Sequence, residues 1–169
     1  MDQRPNAFES LPIDRDRVKF LRELLRELSG VLEDTVGLEE AAGFISMVGA
    51  RIGELMNAEY QAAANSGKLE VEQVADALVD LKRRIEGGFE IESIDHEKIV
   101  LVNSACPFGK YVAGRRSLCM MTSNVFGRIG AANLGYARVE LAETIAEGAS
   151  GCRVIVHLSE GEEGREYFG

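Results

Sequence analysis

At Gly87-Gly88 the hydrophobic pattern of the chain changes period, and that switch constrains the fold more than any other feature. Upstream, apolar residues recur at steps of three and four, the spacing of a helix face; downstream they run in short extended blocks. Val18, Leu21, Leu25, Leu28 and Leu32 form one stripe, Leu38, Ala42, Ile45, Val48, Ile52 and Leu55 a second, and Val71, Val74, Ala75, Leu78 and Leu81 a third. They predict helices over residues 18–32, 38–65 and 70–85. Beyond the glycines, Phe89, Ile91 and Ile94 lead into the polar turn Asp95-His96-Glu97, and Ile99-Val100-Leu101-Val102 follows. That is a β-hairpin whose second arm is apolar enough for an interior strand. Leu118, Met121, Val125, Phe126, Ile129 and Ala132 predict a helix over 117–134, with Val139, Leu141 and Ile145 in an extended stretch and a last strand over 153–158.

Helices first, then two strands, a helix and two strands define an α+β domain. The expected architecture is an antiparallel sheet of about four strands with helices on one face, preceded by an N-terminal helix. Residues 1–37 read as a leader and an amphipathic, possible coiled-coil helix; residues 38–159 form the main domain, and 160–169 an acidic tail expected to fray. The a/d spacing of the first stripe suits a homodimer as well as packing on its own domain. Gly43, Gly49 and Gly53 weaken the second helix by roughly 1 kcal/mol each against alanine. Their presence implies that a sheet or a partner helix packs closely on its backbone.

Charge narrows the function. Lys and Arg number 19 against 28 Asp and Glu, a net charge of −9, whereas a free-standing nucleic-acid binder needs a basic surface. No apolar run reaches the length of a membrane span. The start Met1-Asp2-Gln3-Arg4-Pro5 lacks the pattern of a secretory signal, so the expected location is cytoplasmic.

The three cysteines carry the most chemistry. Cys106-Pro107-Phe108 stands just past a predicted strand, Cys119 falls after 12 intervening residues in the first turn of a predicted helix, and Cys152 opens the last strand after a further 32. An odd number of cysteines without an export signal points to reduced thiols. If the last hairpin lies beside the strand ending near Cys106, three sulfurs converge on one point. Such a set suits zinc or an iron–sulfur cluster, while a redox-sensing thiol pair and inert core cysteines remain open.

The stretch containing Cys106-Pro107-Phe108, Leu118-Cys119 and Gly151-Cys152-Arg153-Val154 resembles the C-terminal cysteine module of SufR-type iron–sulfur regulators. The segment 89–158 is more similar still to the methanogen output domain of signalling proteins, and more distantly to 4-vinyl-reductase-like sensor domains, whose cysteine-rich tip binds zinc below a small-molecule pocket. The resemblance implies a sensory domain over 38–159 in which Cys106, Cys119 and Cys152 hold an iron–sulfur cluster or Zn. Among the zinc-binding relatives a carboxylate precedes the final cysteine, which makes Glu140 and Glu143 the candidate fourth ligands. The SufR-type pattern has a further cysteine that 120–151 does not supply, and 1–37 is too short for a winged DNA-binding domain.

Other residues have plainer readings. His96 sits in a turn, and His157, five residues past Cys152, projects from the opposite face of a regular strand. Lys110, Arg115 and Arg116 read as an exposed polar loop or an anion-holding cluster, and Gly49-Ala50-Arg51-Ile52-Gly53 is not a phosphate loop. Phe44, Ile45, Val48, Ile52, Met120, Met121 and Phe126 are core by default or the lining of a ligand pocket. The expected function is therefore a stand-alone sensory or regulatory domain, not an enzyme, that binds metal through three cysteines and signals to a partner protein or transcription factor. The alternatives are a small hydrophobic-ligand module with structural zinc and, last, a tetrapyrrole vinyl reductase accessory.

Overall fold

The structure is a computed structural model, described here for residues 11–169. Helix α1 (Arg17–Val36) begins where the Asp16 carboxylate accepts the Lys19 N–H at 2.9 Å, satisfying one otherwise orphaned donor. Helix α2 (Leu38–Ala63) follows directly, and α3 (Val71–Arg84) starts with a capping box in which Gln73 reaches back to the Glu70 N–H at 2.9 Å. Strands β1 (Phe89–Ile94) and β2 (Lys98–Asn103) form the expected hairpin, its turn closed by Asp95, whose carboxylate accepts the N–H groups of Glu97 and Lys98. Helix α4 (Arg116–Leu134) leads into β3 (Tyr136–Glu143), β4 (Cys152–His157) and β5 (Arg165–Phe168). Leaving the strand, Ile145 enters a short 3-10 turn, Ile145–Glu147, rather than continuing extended.

The sheet is antiparallel throughout, in the order β1-β2-β4-β3-β5. It has five strands where about four were expected, because the acidic tail does not fray. Glu160, Glu162 and Glu163 stay in an exposed loop, while Arg165–Phe168 pairs with β3. Tyr167 anchors this strand: it is buried against α4, and its hydroxyl lies 2.9 Å from Ser123 Oγ. Phe168 turns outward and meets the Tyr136 ring edge-on at 5.6 Å. An apolar alternation this short was hidden by the carboxylates ahead of it.

One core joins a single face of the sheet to α3 and α4. Leu78 and Val74 of α3, Phe126 and Ile129 of α4, and Ile99, Leu101, Val139, Val154 and Val156 of the strands are all fully buried. Helix α2 packs on the back of α4, and the glycines explain how closely. A Cβ at Gly49 would stand 2.8 Å from the Asn124 Cβ, and one at Gly53 2.9 Å from the Arg128 Cβ. The partner helix is thus α4, whereas Gly43 has nothing within 4 Å. Helix α1 lies outermost. Only Ser29 and Gly30 of it are buried, and Val18, Leu21, Leu25 and Leu28 of its stripe are exposed. No helix among the described residues is long and apolar enough to cross a membrane.

Candidate functional site

Strand register places the cysteines. Cys152 of β4 lies opposite Asn103 of β2, and its N–H donates to the Asn103 Oδ1 at 2.8 Å. The residue before it must be glycine, since a Cβ on Gly151 would sit 2.1 Å from the Asn103 carbonyl oxygen. Three residues beyond Asn103, the loop turns at Cys106, whose carbonyl accepts the Gly109 N–H at 2.8 Å. Cys119 comes from the first turn of α4. All three border one void of about 30 Å³, with Pro107, Phe108, Val112, Ile145 and Leu141 around them.

The environment of these thiols is apolar. Burial pushes the Cys106 thiol up, partly offset by the N–H groups of Phe108 and Gly109. Burial pushes Cys119 up to about 12, reinforced by the other two cysteines and Glu147. Cys152 Sγ accepts the Ile145 N–H at 3.5 Å. Among the described residues, no three His, Cys, Asp or Glu side chains are grouped so as to hold a metal ion. The fold therefore gathers the cysteines around one void without forming a ligand set from them.

Beside this void lies a larger cavity, of about 540 Å³, between the helices and open to solvent past Leu25, Leu28, Val48 and Ile52. Its walls are Leu25, Leu28 and Leu32 of α1, Ile45, Val48, Ile52 and Met56 of α2, Leu81 of α3, and Leu118, Met121 and Val125 of α4. Phe108 and Leu118 border both spaces. One charged side chain lines the apolar cavity. Lys82 is 4% exposed, and its Nζ donates to the Thr122 Oγ1 at 2.7 Å. The ammonium also lies 5.6 Å from the Phe89 ring centre and 5.3 Å from that of Phe126, within cation–π range. Burial pulls its pKa down to about 8, against the opposing influence of Cys106, Cys152 and Cys119.

A sequence model of methanogen output domain 1 matches residues 24–157, which is most of the chain. The chain belongs to the methanogen output domain 1 family. It is thus a small output domain of the sensor type, in line with the resemblance of segment 89–158 to the methanogen output domain. No curated protein matches it by sequence. Among solved structures, it is similar to a trafficking protein particle complex subunit 3 from Naegleria fowleri covalently bound to palmitic acid. The TM-score is 0.61 at 16% identity, over 87% of this chain and 99% of the other, so the likeness is one of fold.

The output domain places its sequence-predicted residues unevenly. Ile45, Val48, Ile52 and Met121 line the larger cavity. Phe44 is exposed, Met120 borders a separate surface groove with Leu38 and Arg116, and Phe126 is wholly in the core. Neither Glu140 nor Glu143 borders the void of the cysteines. Glu140 points to the other sheet face and meets the His157 Nε2 at 2.8 Å, and Glu143 is exposed beside a bulge in β3. His157 and Cys152 do lie on opposite faces of β4, and His96 is an exposed turn residue. Lys110 lies over the Tyr111 ring, Arg115 lies 3.7 Å from Glu33 of α1, and Arg116 lies 3.3 Å from Glu147.

The residue that sequence reasoning missed is Lys82. The signal was present: in the third stripe it directly follows the inward Leu81, within a basic helix end, Lys82-Arg83-Arg84, that reads as solvated. The turn of α3 instead directs it inward over the rings of Phe89 and Phe126.

Proposed function

We propose that this output domain is a regulatory module that reports the binding of a small molecule with an apolar body, held in the cavity between α1, α2 and α4. The observation that carries this reading is the cavity itself: about 540 Å³, walled almost wholly by aliphatic side chains from four helices. Pockets of a few hundred cubic ångströms lined in this way are typical small-molecule sites. The acyl chain named for the fold neighbour is consistent with such an occupant. Helix α1 connects the cavity to an output surface, for it supplies one wall and exposes Leu21, Leu24 and Val31 to solvent. Homodimerisation through α1, or docking of a signalling partner there, is the readout this arrangement supports.

The test is titration with N-phenyl-1-naphthylamine, an uncharged fluorophore that brightens in apolar surroundings. Saturable binding of one equivalent is expected, abolished by the cavity-filling variants Ile52→Trp and Leu25→Trp at unchanged helix content. Non-saturable brightening that persists in both variants would remove the reading.

The cysteines support a second reading, in which Cys106, Cys119 and Cys152 take up a soft metal ion or cluster, as in the SufR-type module they resemble. Their shared void is the supporting observation. Side-chain rotation must first bring the sulfurs together, because the described arrangement forms no such group. Elemental analysis of anaerobically purified protein and of Cys119→Ser tests it: a stoichiometric metal lost in the variant supports the reading, and metal-free wild type ends it.

A further inference from the structure

Resting on the reading of the helical cavity as a ligand site, we infer that Lys82, hydrogen-bonded to Thr122 where the cavity meets the void of the cysteines, is its head-group site and that the ligand is an amphiphile with an anionic, carboxylate-like end. Lys82 is buried, lines the cavity, and has Thr122 Oγ1 as its one hydrogen-bond acceptor among the described residues. An ammonium carries three donors, so two are left without a protein acceptor. No carboxylate of the described chain forms an ion pair with it, and the charged groups that influence it are the thiols Cys106, Cys119 and Cys152. Cys106 and Cys119 are pushed upward by burial and so carry no negative charge at neutral pH. Buried ammonium groups are ordinarily paired, and an unpaired one is costly to keep.

The surroundings hold the charge in place without neutralising it. The rings of Phe89 and Phe126 lie beside the ammonium, and the Thr122 hydroxyl fixes one donor. The rest of the cavity is aliphatic from Leu25 to Val125, so a ligand that satisfies both parts has one charged end and an apolar remainder. A cation is excluded by Lys82, and a neutral apolar molecule leaves the ammonium without a counter-charge. The Thr122 hydroxyl borders the void of the cysteines and holds Lys82 as its acceptor, so the charged end of a ligand in the cavity is met by the remaining ammonium donors. A carboxylate offers two acceptor oxygens and the charge that makes hydrogen bonds to an ammonium short and strong.

The experiment is displacement of the bound uncharged fluorophore from chelator-treated, reduced full-length protein by decanoate, decanol and decylammonium at pH 7. Wild type is expected to rank them in that order, with decanoate ahead of decanol by roughly tenfold or more, the range of a charge-assisted hydrogen bond. Lys82→Met is expected to collapse the ranking, so that decanoate loses its lead over decanol. The ranking in wild type needs no variant, and Lys82→Gln repeats the test if the methionine variant fails to fold. Equal binding of decanoate and decanol overturns the head-group site and leaves the cavity reading standing. A decanoate preference retained in both Lys82 variants overturns the assignment to Lys82. Failure of the fluorophore itself to bind removes the cavity reading and this inference together.

Discussion

Lys82 Nζ lies 2.7 Å from Thr122 Oγ1, joining the last turn of α3 to α4 between the helical cavity, which Lys82 lines, and the void of the cysteines, which Thr122 lines. The contact lets a fully buried ammonium persist among aromatic and aliphatic neighbours, and its titration leaves a signature in stability. The unfolded pKa is 10.5 and the folded one about 8. Between those values the unfolded chain binds the extra proton, so stability rises with pH across that window and is reduced below it. Lys82→Met lacks the term. We expect the variant to be the more stable at pH 7, with an advantage that shrinks by roughly 3 kcal/mol between pH 8 and pH 10.5. Urea denaturation of both proteins across that range checks it.

Cys119 should react slowly. With its pKa raised from 9.0 to about 12, its thiolate fraction at pH 8 is on the order of 10³-fold smaller than in the unfolded chain. Iodoacetamide labelling followed by peptide mass spectrometry should show Cys119 protected in native protein and labelled promptly in urea. Equal rates in the two states would contradict the described burial.

The α2–α4 contact gives a paired prediction. Gly53→Val forces a side chain to within 3.2 Å of the Val125 Cα and should destabilise the fold by about 1–3 kcal/mol. Gly43→Ala meets nothing within 4 Å and should stabilise it by roughly 0.5–1 kcal/mol. Thermal or urea unfolding of the two variants should move in opposite directions.

Association through α1 is testable at residues that do little for the folded monomer. Leu21 and Val31 are 49% and 64% exposed. The double variant Leu21→Glu, Val31→Glu is expected to lower the mass measured by light scattering from dimer to monomer while the unfolding midpoint of dilute protein barely changes. A wild type that is monomeric at high concentration would refute self-association.

The sequence made the helical stripes, the β1–β2 hairpin and the α2 glycine contacts legible, because each is a local pattern with a single physical solution. Gly49 and Gly53 announced a close neighbour without naming it, and only the tertiary fold identifies α4. Strand β5 was obscured because its pairing with β3 depends on one buried ring, Tyr167, within an acidic segment. The meeting of Cys106, Cys119 and Cys152 at one void followed from placing the last hairpin beside the strand that ends near Cys106, and the Asn103–Cys152 register is that relationship. Lys82 could not be read in the same way. Whether a lysine beside an inward leucine snorkels to water or folds inward is decided by distant rings, here Phe89 and Phe126.

Helix α1 touches the rest of the molecule lightly, yet Leu32 faces the cavity while Leu24 and Val31 face out. Whatever fills the inside and whatever covers the outside therefore grip one rod from two sides, and neither can bind indifferently to the other if the rod shifts. Reciprocity then requires that a molecule which alters association have its own affinity altered in equal measure by the associate. Dilution alone would then change how tightly the cavity holds its guest.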